Sequence, residues 1–202
     1  TDGLPGGITE RVTADADFDL SDPSYYSVMN GVLYLRAYDA QHGLELWRID
    51  DSGAGMVRDL IPGTRGSYPT HLTTMNDRLF FLAETSESDG DFALWITDGT
   101  DAGTKIVQPP SPEITIYNSS TSNFIVHQDR LLFFVHNNAS GGYELWYSDG
   151  APGGSQPVDT PVAEPGPGVS TGTQVYFTTR GADGYITLIE TDLTPTGTHP
   201  VA

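Results

Sequence analysis

Residues 93–104 read Ala-Leu-Trp-Ile-Thr-Asp-Gly-Thr-Asp-Ala-Gly-Thr, and shorter versions of this stretch recur three times in the chain. The anchor residues of the four copies are 48, 51 and 43 residues apart. A nearly fixed period in this range is the signature of a repeat architecture. The anchors are Trp47, Trp95, Trp146 and Ile189.

Each copy lies in a unit of about four short strands joined by tight turns. Asn30-Gly31 is a strong signal for a two-residue hairpin. Residues 131–135 are apolar at every position, which is typical of a strand covered on both faces. Stacking such sheets face to face around an axis covers both faces at once, as in a β-propeller of four to eight blades. We therefore predict an all-β fold, a β-propeller with four blades of about four antiparallel strands.

The repeats divide a single predicted domain, residues 1–202, into four units. These span about 24–63, 69–110, 122–160 and 161–202. Residues 161–168 are rich in proline and glycine and are interpreted as a linker or a degraded first strand. Residues 8–12 are a predicted strand that either closes the last blade or belongs to a lost one. The four blades either close within one chain, or two chains build a ring of eight.

The anchors have predicted structural roles. We expect Trp47, Trp95 and Trp146 to wedge between adjacent blades, because a large flat ring fills a widening gap. The aspartates that follow them are predicted to accept backbone N–H bonds in turns, where the next glycine takes a positive φ. These aspartates are Asp50, Asp98 and Asp149.

The composition excludes several classes of partner. The chain has 27 acidic residues against 9 Lys and Arg, a formal net charge of −18, so we expect no nucleic acid partner. It has no cysteine, which excludes disulfides, thiolate metal sites and a cysteine nucleophile. No apolar run approaches the ~20 residues that span a bilayer, so direct membrane insertion is not expected.

One acidic segment is a candidate calcium loop. Alternate aspartates supply the oxygen ligands that Ca²⁺ prefers. The usual glycine at the sixth position is replaced by Leu20, and Tyr26 stands where a closing glutamate is expected. A solvated acidic loop is the alternative interpretation. The four aspartates are Asp15, Asp17, Asp19 and Asp22.

The sequence carries no signature of catalysis. It lacks a G-x-S-x-G motif and a phosphate-binding loop, and its five histidines show no zinc-ligand spacing. Scattered carboxylates do not single out a pair of the kind that glycosidases use. We therefore predict no catalytic residues and no enzyme activity.

The repeat unit resembles that of the ELWxxDGT-repeat family. Residues 79–104 match it best, residues 43–63 carry Asp-Ser-Gly in place of Asp-Gly-Thr, and residues 142–155 carry Ala151 in place of threonine. The fourth unit lacks tryptophan and has Leu193 in place of glycine. The resemblance covers most of residues 30–200. It implies a bacterial, exported or surface-linked repeat protein and no agreed activity.

The leading hypothesis is an extracellular, cell-surface or periplasmic scaffold that binds a protein partner, as an accessory subunit of a larger assembly. Loops on a rigid frame suit recognition. The alternative is a glycan-binding, lectin-like propeller, for which Tyr38, Tyr143 and Tyr185 are candidate contacts. A hydrolase is the third and least favoured hypothesis.

Overall fold

The computed structural model describes residues 18–19, 25–86, 90–108, 113–118 and 123–201, and its regular elements are all β-strands. The all-β prediction is therefore confirmed for this part of the chain. Within the same ranges, no helix could cross a bilayer. The predicted strand at residues 8–12 lies outside the described residues.

The strands form four antiparallel sheets that follow one another along the chain. Sheet 1 contains β1 (Phe18–Asp19), β2 (Tyr26–Met29), β3 (Val32–Asp39), β4 (Gly43–Asp50) and β5 (Gly53–Arg58). Sheet 2 contains β6 (Thr70–Met75), β7 (Arg78–Glu84), β8 (Phe92–Thr97) and β9 (Lys105–Gln108). Sheet 3 contains β10 (Ile114–Ile116), β11 (Ile125–His127), β12 (Arg130–Asn137), β13 (Gly142–Ser148) and β14 (Ser155–Val162). Sheet 4 contains β15 (Glu164–Ser170), β16 (Val175–Arg180), β17 (Ile186–Thr191) and β18 (His199–Pro200).

The first strand of every sheet is interrupted near its middle. β1 and β2 both pair with β3, and β10 and β11 both pair with β12, so each couple is one strand in two pieces. In sheets 2 and 4 the interruption is an irregularity within a single strand, between Thr70 and Thr73 and between Pro165 and Gly168. Sheets 1 and 3 therefore share the four-stranded plan of sheets 2 and 4.

The hairpin predicted at Asn30-Gly31 is confirmed. Met29 pairs with Val32, and the two turn residues have φ angles of 54° and 80°. Two consecutive positive φ values are typical of a type I′ turn, whose twist matches that of the flanking strands.

Three apolar clusters join consecutive sheets. β4, β8 and β13 each contribute a leucine to the cluster shared with the next sheet. β8, β13 and β17 each contribute the anchor residue, directly after their leucine, to the cluster shared with the preceding sheet. We call the face with the leucine the leading face, and the face with the anchor the trailing face. The leading-face leucines are Leu46, Leu94 and Leu145, followed in sheet 4 by Leu188.

Within the described ranges, no apolar cluster joins sheet 4 to sheet 1. The four sheets are thus seen as a stacked series with two terminal faces. The fourth-strand place in sheet 4 is taken by β18, from the end of the same repeat.

Two segments refine the sequence-based prediction. Residues 164–170 form the first strand β15, one of the two alternatives for this stretch, because the irregularity between Pro165 and Gly168 lets prolines occupy a strand without breaking its pairing. Sheet 3 begins at Ile114, before the repeat boundary predicted near residue 122.

Candidate functional site

The three tryptophans lie on the trailing faces, next to the leading-face leucines. Trp95 is buried between sheets 1 and 2, stacks at 6.4 Å on Phe81, and donates its Nε1 hydrogen to the Ala83 carbonyl. Trp146 is half-buried between sheets 2 and 3. Trp47, on the terminal face of sheet 1, is also half-buried.

The turn after Trp95 is held by its own side chains. Asp98 Oδ1 accepts hydrogen bonds from the Thr100 N–H at 3.0 Å and from the Thr100 hydroxyl at 2.6 Å. These bonds hold the pKa of Asp98 below its usual range, since they favour the charged carboxylate. Thr104 closes the turn by donating to the Thr100 carbonyl at 2.7 Å. The carboxylate is thereby occupied in an internal turn.

The same turn recurs in the other repeats. Asp149 Oδ1 accepts from the Ala151 N–H at 2.9 Å, and Asp50 Oδ1 accepts from the Ser52 N–H at 2.8 Å. The fourth repeat also contains it, with Asp192 accepting from the N–H and hydroxyl of Thr194 at 2.9 and 2.6 Å. Sequence reasoning placed Leu193 at the motif glycine but did not include Asp192 among the turn aspartates, although Thr191-Asp192 and Gly197-Thr198 repeat the ends of the motif.

The glycine of the motif makes room for the preceding sheet. Gly99 has a φ of +91°, and a Cβ there would overlap the Tyr34 hydroxyl of sheet 1. Gly150 has a φ of +85°, and its Cβ would lie 2.9 Å from Phe80 Cζ of sheet 2. Cross-strand pairing places Leu132 of sheet 3 at the position of Tyr34 and Phe80.

Leu193 replaces the glycine in the fourth turn and keeps a positive φ of 68°. Its half-buried side chain packs against the cluster that contains Leu132. Leu132 is smaller than the rings of Tyr34 and Phe80, so it leaves space at this junction for the Leu193 side chain. This space is the physical reason why leucine replaces the motif glycine in the fourth repeat.

The candidate calcium loop cannot be placed as a site. Asp15, Asp17 and Asp22 lie outside the described residues, and for Asp19 only the backbone pairing with Tyr38 is described. Over the described ranges, no group of three or more His, Asp or Glu side chains is arranged to hold a metal ion.

Glu45 is a fully buried carboxyl in sheet 1. Burial raises its pKa to about 7, although the Ser67 hydroxyl and the Ile61 N–H donate to it at 2.6 and 3.3 Å. Because Ile61 and Ser67 lie on the connection to sheet 2, their hydrogen bonds to Glu45 hold that connection against β4. The role is structural, because Glu45 is fully buried on the trailing face of sheet 1.

The leading face of sheet 4 is open to solvent. Leu188 is 44% exposed and Val201 is 41% exposed, and Val169 and Ile186 are exposed on the same face. A depression of about 420 Å³ lies on this face. Its lining includes Glu164, Pro165, Thr178, Arg180 and Ile186.

The trailing face of sheet 1 is exposed along its first strand, whereas Leu35, Ala37 and Glu45 on the same face are buried. Tyr26 and Val28 are exposed on β2, and Val28 is 60% accessible. Their strand partners Leu35 and Leu33 place them on the same face as Trp47. Both terminal faces of the stack therefore present apolar side chains.

A smaller aromatic group lies near the junction of sheets 3 and 4. Tyr143 contacts Tyr117 and His136 edge-on, with ring centroids 4.9 and 5.2 Å apart. The Tyr117 hydroxyl donates to Glu164 at 3.4 Å. The other candidate glycan contacts, Tyr38 and Tyr185, lie elsewhere, in β3 and in the β16–β17 loop. The position of Tyr143 is occupied by Leu44 in sheet 1 and by Ile186 in sheet 4, so the tyrosine is not repeated there.

The sequence matches no protein-family model and no curated protein. Among solved structures, it is similar to an oligogalacturonate lyase in complex with manganese, at 13% identity and a TM-score of 0.62 over 88% of this chain and 52% of that one. It is also similar to a puromycin-hydrolyzing peptidase of Mycobacterium tuberculosis, at 13% identity and a TM-score of 0.61 over 88% and 28%. TolB from Acinetobacter baumannii matches at 10% identity and a TM-score of 0.53 over 85% and 40%.

These similarities concern the fold alone. The chain spans between about a quarter and about half of the structures it matches. At 10–14% identity, they support a β-propeller-like arrangement of the four sheets.

Proposed function

We propose that the chain is a non-catalytic scaffold in which the four sheets are propeller blades and the open terminal faces bind protein. One observation carries this proposal. The leading-face leucine, such as Leu145, is buried at all three junctions between sheets, whereas the corresponding Leu188 of the last sheet is exposed. Apolar side chains exposed at positions that are buried elsewhere in the same fold are typical of an interaction surface.

The rest of the molecule supports a binding role. Asp98 and Asp149, the most regular polar features of the repeats, are engaged in turns. The strongly acidic surface favours a neutral or basic protein partner over nucleic acid. The resemblance to exported bacterial repeat proteins supports a place outside the cytoplasm, at the cell surface or in the periplasm, within a larger assembly.

A photo-reactive amino acid at position 188 tests the proposal, with the same residue at the exposed position 38 as the control. We expect a covalent adduct to a protein from position 188 and none from position 38. Equal labelling from both positions, or no protein adduct from position 188, would contradict a protein-binding face. Product formation from a peptide or glycan panel would contradict the non-catalytic assignment.

Glycan binding is the second candidate, favoured by the aromatic group around Tyr143. Aromatic rings beside a carboxylate are a combination that suits a sugar, with its apolar ring faces and its hydroxyls. A glycan array compares the chain with a Tyr143→Ala variant. Glycan binding that this substitution abolishes would favour the lectin function, and silence at high protein concentration would remove it.

A further inference from the structure

We propose that the open leading face of sheet 4 packs on the trailing face of sheet 1 of a second copy of this chain, at the exposed side chains of β2. Two such contacts join two copies into one ring of eight blades. This inference rests on the proposed function, since it names the protein that occupies the binding face.

The three internal junctions define the contact. At each of them a leading face meets a trailing face, and polar bonds cross beside the apolar cluster. The Ser27 and Thr74 hydroxyls lie 3.0 Å apart across the first junction, and His127 Nδ1 lies 2.8 Å from the Ser170 hydroxyl across the third. Leading and trailing faces are therefore complementary in this chain.

Sheet 4 repeats the apolar positions of the earlier leading faces. Val201, whose N–H donates to the Leu188 carbonyl, follows Pro200, the strand partner of Ile189. The corresponding residues Val57, Val107 and Val158 follow the strand partners of the three tryptophans and are all buried. The last leading face thus carries leucine and valine where the other three bury them.

Sheet 1 offers the matching trailing face. Tyr26 and Val28 are 67% and 60% exposed on this face, on the strand that pairs with β3 beside the half-buried Trp47. Val28 occupies the position of Thr74, which contacts the preceding sheet. A second copy would cover these side chains as sheet 1 covers those of sheet 2.

Two unlike faces on one chain make a head-to-tail contact. Such a contact gives a closed ring when the rotation between copies closes and an open filament when it does not. Eight blades are within the range that propellers adopt. Because each copy has a net charge of −18, we expect association to strengthen with added salt, which screens the repulsion.

Two charged variants and one control test the contact. Leu188→Asp changes the leading face of sheet 4, Val28→Asp changes the trailing face of sheet 1, and Tyr38→Ser changes an exposed aromatic residue that lies on neither face. Native mass spectrometry and light scattering measure the mass. We expect dimers for the original chain and for Tyr38→Ser, and a dissociation constant raised at least about tenfold in each aspartate variant.

Mixing the two aspartate variants in equal amounts gives the decisive result. The mixture contains one unaltered leading face and one unaltered trailing face, so we expect dimers to return, which unfolded variants could not achieve. Monomers in the mixture, or an unchanged dissociation constant for Val28→Asp alone, would overturn the head-to-tail contact. A ladder of larger oligomers would overturn the closed ring.

The outcome also separates this inference from the proposed function. If the original chain is monomeric while position 188 cross-links to a different protein, the second copy is wrong and the scaffold stands. If the chain is monomeric and position 188 yields no protein adduct, both are wrong.

Discussion

Leu145 and Leu188 occupy the same position in consecutive sheets, yet Leu145 is fully buried and Leu188 is 44% exposed. Each leucine lies on the leading face of its sheet, and only Leu145 has another sheet packed on it. The difference between them is therefore a difference of neighbours. The leading face of sheet 4 therefore carries the apolar residues of an internal junction but, among the described residues, has no sheet packed on it.

Truncating the two leucines should have unequal effects on stability. Leu145→Ala should lower the free energy of unfolding by about 2–5 kcal/mol, because it leaves a cavity between sheets 3 and 4. Leu188→Ala should change it by no more than about 0.5 kcal/mol in dilute solution, where no copy covers the side chain. Urea unfolding at low protein concentration measures both, and equal losses would contradict the difference in burial.

Leu132 and Leu193 should behave as a coupled pair. Leu132→Phe crowds a filled site and Leu193→Gly empties it, so each should lower the free energy of unfolding by about 1–3 kcal/mol. Together they recreate the ring-and-glycine arrangement of Phe80 and Gly150. A double-mutant cycle should show that the double variant loses less than the two single losses combined, by about 0.5–3 kcal/mol. Strictly additive losses would show that the two residues do not share the site.

The repeat pattern made most of the architecture predictable. The strand order, the hairpin at Asn30-Gly31 and the leucine–tryptophan alternation followed from periodicity, because strands and turns have local signatures. The pairing of Leu132 with Leu193 was not predictable, since the two positions lie 61 residues apart and only one departs from the motif.

The third repeat shows where equal spacing misleads. Residues 132–134 stand 14 residues before Trp146, the spacing that also separates residues 33–35 from Trp47. In the structure, however, Phe133 pairs with Trp146, while Leu35 pairs with Trp47. The β12–β13 connection spans four residues and the β3–β4 connection three, which shifts the register by one.

The exposure of the terminal faces could not be predicted from the sequence either. Leu188 follows the same apolar pattern as Leu145. The pattern indicates which side of a strand is apolar, but it does not indicate whether another sheet covers that side. Only the stacking of the sheets shows that one of these faces has no partner in the described part of the chain.

Glu45 should make the chain less stable as the pH rises. Its folded pKa of about 7 lies above the ordinary value of 4.5, so the stabilisation by its proton is complete below pH 4.5 and is lost as pH rises through 7. The difference corresponds to a loss of about 3 kcal/mol. Glu45→Gln should remove this pH dependence and be the more stable form at pH 8, as thermal unfolding between pH 4 and pH 8 would show. Parallel pH profiles for the two proteins would contradict a buried, protonated carboxyl.

Asp98 should contribute to stability through its turn. Asp98→Ala removes the acceptor of two Thr100 hydrogen bonds and should lower the free energy of unfolding by about 1 kcal/mol. Asp51→Ala, in the exposed β4–β5 turn, is the control and should cost less. Chemical denaturation measures both. If the loss were confined to binding of a ligand or metal, the structural assignment of the motif would be wrong.

Hydroxyl-radical footprinting across a dilution series tests the central claim most directly, because it reads the exposure of Leu188 in the unaltered protein. We expect Leu188 and Val201 to be protected when the protein is concentrated and to be oxidised on dilution, while Leu145 stays protected and Tyr38 reacts throughout. Equal oxidation of Leu188 at every concentration, in the presence and absence of other proteins from its source, would contradict the assignment of this face as a binding surface.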